Sequence, residues 1–134
     1  MNVAAMLDTY PADLGPVDRA ALAACIEACV DCAQTCTACA DACLSQQHVA
    51  DLVKCIRANL DCADICHTTG TVLSRHAGHD AILTRTVIDA CAAACKACGD
   101  ECGRHAATYE HCRVCAEACR RCEQTCRDLL ASLA

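Results

Sequence analysis

The chain has 134 residues and carries 18 Cys, 2 Tyr and 2 Met but no Phe or Trp, with a formal net charge of −6. That length supports one domain, and the large apolar residues are too few to fill the centre of several long helices. With 11 Lys plus Arg there is neither a basic stripe nor an aromatic platform for stacking bases, which excludes nucleic acid, and no apolar run reaches the length of a membrane span.

Residues 1–14 read MNVAAMLDTYPADL. They lack a basic n-region and a sustained apolar core, so they are not a secretory signal. The chain is therefore expected in the cytoplasm, where thiols stay reduced. Residues 1–15 form an N-terminal arm with a short helix, in which Met6 and Leu7 are placed as lid contacts. Gly15-Pro16 breaks it. Proline suits the first turn of a new helix, and Asp18 suits its positive end. The first long helix then covers about 16–44. Cys25, Cys29, Cys32, Cys36, Cys39 and Cys43 follow one another at steps of four and three. At 3.6 residues per turn these steps keep every thiol on one face. A strand would scatter them over both faces.

Ser45 is placed to cap the second long helix, about 47–76. It carries Cys55, Cys62 and Cys66. The same phase takes in His48, Leu52, Asn59, Thr69 and Leu73, so Asn59 stands where the pattern would place a cysteine, and Asn59 and His48 join the cysteines as candidate metal contacts. Gly78 is a suitable stop. Asp80 begins the third long helix, about 80–106, with Cys91, Cys95, Cys98 and Cys102 and with His105 in phase. Thr108 is placed as N-cap of the fourth, about 109–133. That helix carries Cys112, Cys115, Cys119, Cys122 and Cys126, with His111 one residue off phase. Abundant alanine favours helix throughout.

Short connections make successive helices antiparallel. The predicted fold is all-α: an antiparallel up-down-up-down four-helix bundle with a cysteine-lined core, forming one domain over 1–134. The stripes then face one another and line a tube with two unlike ends. One end gathers Cys43, His48, Cys102, His105, His111 and Cys112. The other gathers Leu22, Leu73, Leu83, Val87, Ile88, Leu129 and Leu130 as an apolar plug. Metal is expected to enter at the histidine end.

Intrahelical cysteines three or four apart have Cβ atoms about 5–6 Å apart, too far for a disulfide. Thiolates select Cu(I), zinc or iron–sulfur clusters. One Cu(I) per thiolate keeps a buried core neutral, and burying unpaired charge is costly. Tetrathiolate zinc leaves two negative charges per site and needs separate four-ligand cages. A continuous ladder suits shared, low-coordinate Cu(I) sites better. The alternatives are a zinc or mixed-metal thiolate buffer, and a CxxC thiol oxidoreductase. The second calls for an accessible low-pKa thiol, whereas these thiols sit mid-helix facing inwards. Simple packing of cysteine as a small hydrophobe is the plainest reading, and it leaves 18 oxidisable thiols without a use.

From about residue 17 onward the chain resembles the bacterial cytosolic copper storage proteins. The likeness rests on the CxxxCxxCxxxCxxCxxxC run of Cys25–Cys43, the CxxCxxxCxxCxxxC run of Cys112–Cys126 and the shorter runs between them. It implies a non-enzymatic four-helix bundle holding many Cu(I) ions per chain, loaded from small copper donors or chelators. It also implies histidines at the bundle mouth, here His105 and His111, and a homotetramer. Exported members carry a signal peptide and a methionine-rich mouth, and this chain shows neither.

Overall fold

The computed structural model describes residues 1–133. Its elements are α1 (Val3–Asp8), α2 (Arg19–Leu44), a 3-10 turn (Val49–Leu52), α3 (Val53–Leu73), α4 (Ala81–His105) and α5 (Glu110–Ser132). There is no strand among the described residues. α2 packs on α3 and α5, and α4 packs on the same two, so the four long helices form a closed ring. The sulfur pairs give the directions. Between α2 and α5, Cys25 meets Cys126 and Cys32 meets Cys119. Between α3 and α4, Cys55 meets Cys102 and Cys66 meets Cys91. Partner numbers fall as one's own number rises, so these neighbours run antiparallel. Across the diagonal, Cys29 meets Cys91 and Cys36 meets Cys98, which makes α2 and α4 parallel.

Two aspartates start helices by accepting an orphan backbone N–H: Asp18 from Ala21 at 3.0 Å and Asp80 from Leu83 at 2.9 Å. Several boundaries differ from the sequence reading. The first long helix begins at Arg19 because Gly15, at φ +80°, and Pro16 hold the chain in a turn up to the Asp18 cap. Ser45 ends α2 rather than capping α3, and its hydroxyl donates back to the Asp41 carbonyl. The second long helix starts later, through the 3-10 turn, and stops at Leu73. Gly78, at φ +62°, shapes the loop beyond it. Tyr109, not Thr108, is the N-cap of α5, and no side chain closes that cap.

α2 is long and apolar enough, by length and composition, to cross a membrane, against the expectation that no run reaches that length. Its apolar character comes largely from cysteine and alanine, and its six cysteines point into the bundle.

The arm lies at the plug end. Leu7 is buried, whereas Met6 is 68% exposed and covers nothing. Arg19 reaches Asp8 at 3.6 Å, and Tyr10 meets the His76 ring edge-on at 5.1 Å. Leu22, Leu73, Ile88 and Leu129 form the buried plug, with Leu130 packed beside them. Leu83 does not join it. It stands 56% exposed, because the buried stripe of α4 runs through Ile88 and Cys91. Between arm and plug lies a cavity of about 540 Å³, with His76 and His79 in its lining.

Candidate metal centre

All 18 cysteines are free and buried. The four-and-three spacing places each on the inner face of its helix, and the ring of helices brings the four stripes together. Neighbouring sulfurs lie 3.5–4.0 Å apart. Most of these contacts cross between helices, as Cys36 shows with Cys119 and Cys115 on α5 at 3.6 Å and with Cys98 on α4 at 3.9 Å. Four-sulfur groups recur down the tube. Cys29, Cys91, Cys122 and Cys126 form one; Cys32, Cys66, Cys95 and Cys122 another; Cys36, Cys98, Cys115 and Cys119 a third. Cys122 belongs to the first two groups and adjacent groups abut, so the arrangement is a shared lattice and not a set of isolated cages.

Asn59 is fully buried within this lattice. Its Oδ1 accepts from Cys98 at 3.1 Å and from Cys102 and Cys115 at 3.2 Å, and its Nδ2 faces Cys55 at 3.9 Å. Thr69 is also fully buried, and its hydroxyl donates to the Ile65 carbonyl.

At the mouth Cys39, Cys43, Cys112 and His111 form a mixed group. His111 is half-buried, with Nδ1 3.3 Å from Cys39 Sγ and 3.6 Å from Cys112 Sγ. The Gln46 amide lies 3.0 Å from Nε2 and holds the ring with Nδ1 facing the Cys39 sulfur. Tyr109 stacks on the ring at a centroid distance of 5.8 Å. Burial pushes the Cys43 thiol up to about 12 and raises Cys112 for the same reason. Cys39 is held below its ordinary value, first by hydrogen bonds with Cys102 and Cys115 and further by His111.

The other predicted imidazoles stand apart. His105 is half-buried at the end of α4, and its side chain makes no hydrogen bond among the described residues. His48 is exposed where the chain enters the 3-10 turn. Gln46 and Tyr109 were missed by the sequence reading. Both flank the turns at the mouth, and that position was the available signal.

A helical bundle lined by contiguous thiols, with an imidazole at one end, is a holder of many soft metal ions. The profile of the family described as Csp, copper storage protein, matches residues 18–131. The chain belongs to the copper storage protein family. It is similar to Ccsp from Streptomyces lividans, whose structure was determined loaded with 10 copper equivalents. Identity is 67% over 97% of this chain and 98% of that one, with a TM-score of 0.96. A cytosolic copper storage protein from the same organism, with five coppers, is 68% identical over 83% and 92% of the two chains, with a TM-score of 0.82. Apo copper storage protein 3 from Bacillus subtilis is more distant: 38% identity, 80% and 96% coverage, and a TM-score of 0.68.

Proposed function

We propose that this chain stores and sequesters Cu(I) in the cytoplasm, holding the ions on its 18 inward thiols and taking them in at the His111 end. The carrying observation is the contiguity of the sulfur lattice. Buried thiols 3.5–4.0 Å apart can move together to bridge neighbouring two- and three-coordinate ions, and one Cu(I) per thiolate leaves the core uncharged. His111 offers an intermediate ligand beside Cys39 and Cys112. It takes an ion from a small copper donor or chelator and passes it to thiolates that hold it more strongly. His105 and His48 stand further out at the same end and would meet an incoming complex first. The family's storage role and the cytosolic Streptomyces relative support this reading.

Copies of the chain assemble as a homotetramer on this reading. In support, α2 and α3 leave an open groove of about 1050 Å³, lined by small residues such as Ala33, Ala38, Ala63 and Gly70 beside the half-exposed Val30.

Anaerobic titration of reduced apo-protein with Cu(I) tests the reading, with Zn²⁺ as control. Saturation is expected on the order of 15–20 Cu(I) per chain, close to one per thiol. A plateau near four or five, as tetrahedral tetrathiolate sites would give, would replace it with a zinc-type buffer.

A further inference from the structure

The cavity at the plug end contains no thiol in its lining among the described residues. Its volume of about 540 Å³ falls within the roughly 300–1,000 Å³ of small-molecule sites. Its floor is the plug itself, Leu22, Leu73, Ile88 and Leu129, and Leu14 and Val17, where the arm returns to α2, form a wall. At its edge stand Arg75, His76 and His79, from the segment joining α3 to α4.

The polar groups at this edge are donors without partners. Among the described residues, every other arginine reaches a carboxylate, or in the case of Arg85 the Leu133 carbonyl. Arg75 makes no such bond, and the imidazoles of His76 and His79 make no hydrogen bond. Burial pushes the His76 imidazole down and the nearby His79 pushes it further, so the two rings lie close enough to oppose each other's charge. The fixed charge of Arg75 repels a metal cation and attracts an anion. The carboxylate in the lining, Asp13, is turned to its own loop, where Oδ1 accepts from the Gly15 N–H at 2.8 Å. The Ser132 hydroxyl is also engaged, donating to the Leu129 carbonyl at 2.7 Å. An apolar floor with a cationic edge matches a molecule with an apolar tail and one anionic head. One guanidinium suits the single charge and flat fork of a carboxylate better than the near-double charge of a phosphate monoester.

We propose that this cavity binds a free, single-chain aliphatic carboxylate, with its tail on the plug leucines and its head on Arg75, beside His76 and His79. The site goes beyond the Cu(I) storage reading and does not depend on it. A bound ligand would tie the arm to the α3–α4 segment across the end of the bundle. Arg75 also borders the groove between α2 and α3, so a contact with another copy of the chain is its competing use.

The test is isothermal titration calorimetry of the full-length reduced protein at neutral pH with sodium decanoate, kept below its micelle concentration. Binding should saturate near about one equivalent per chain. Affinity should fall about tenfold for every two methylenes removed, through octanoate to hexanoate. Decanol, with the same tail and no charge, should bind at least about tenfold more weakly than decanoate. Arg75→Glu, at an exposed position, should weaken decanoate binding by at least about tenfold. Val17→Trp fills the cavity and should abolish it. Circular dichroism checks that each variant is folded, and Arg75→Glu decides the matter if Val17→Trp is not. The absence of saturable binding overturns the proposal. So does decanol binding as tightly as decanoate, or parent affinity in a folded Arg75→Glu. Sedimentation velocity follows the oligomer: an Arg75→Glu variant that changes its assembly, with decanoate still bound at parent affinity by Val17→Trp, assigns Arg75 to a subunit contact and removes the site.

Discussion

The two ends of the bundle are built from the same four helices and do opposite things. At the plug end Leu22, Leu73, Ile88 and Leu129 are all at most 5% exposed, and the arm folds over them. They contribute packing and offer no ligand. At the mouth, Cys39, Cys43 and Cys112 share a site with a half-buried imidazole, which Gln46 and Tyr109 hold in place. That end carries the ligand set, with Leu52 buried beside it. On the proposed reading metal exchange belongs to the mouth, so a change that damages the plug should leave exchange readable.

Alkali should break the contrast most strongly. Cys43 titrates near 12 in the fold against an ordinary 9.0, because burial disfavours its thiolate. The folded state therefore binds this proton more tightly than the unfolded state does. The resulting stability is complete below pH 9 and is lost as pH rises from 9 towards 12, by up to about 1.4 kcal/mol per pH unit for each such thiol. Urea denaturation of the reduced apo-protein followed by circular dichroism should show a midpoint falling over that window. Cys43→Ala should flatten the fall. Copper-loaded protein, whose thiols have no proton left to lose, should not respond.

Next in size is the plug. Leu129→Ala removes a side chain that is 1% exposed and should cost about 2–5 kcal/mol in the same denaturation experiment. Stopped-flow uptake from a Cu(I) chelator complex should stay near the parent rate. A large slowing would place an entry route at the plug end and reverse the assigned polarity. The smallest effect belongs to His111→Ala. It should slow uptake by about tenfold, equivalent to about 1.4 kcal/mol, with final loading lowered by about one equivalent at most. Uptake at the parent rate would remove His111 from the path.

The fold was legible because cysteine here does two jobs with one pattern. The four-and-three spacing is the spacing of a core stripe, so the residues that bind metal also mark the inner face. Asn59, Thr69 and Leu73 could be placed inside by continuing the phase of Cys55, Cys62 and Cys66, and all are buried. The mouth was harder to read. His105 is in phase, but α4 ends there and its ring makes no bond to a thiol. His111 is off phase, yet its ring reaches across to Cys39 on α2. Phase reports which way a residue leaves its own helix, whereas the mouth is set by distances between helices and by two turns. Leu83 failed for a related reason: at the first turn of α4, one residue before the in-phase Thr84, it falls outside the buried stripe. The helix starts were misplaced where a local turn intervened, at Gly15-Pro16 and in the 3-10 turn before Val53.

The alternating helix directions have an electrical consequence. Each long helix carries a macrodipole, with its positive end at the N-terminus. α2 and α4 run one way, and α3 and α5 the other, so either end of the tube gathers two positive and two negative termini. The four dipoles cancel along the axis. A monovalent cation inside therefore meets no net axial field from the helix dipoles. Its direction of travel is set by which ligand, inside or out, holds it more tightly, and the same passage serves filling and emptying.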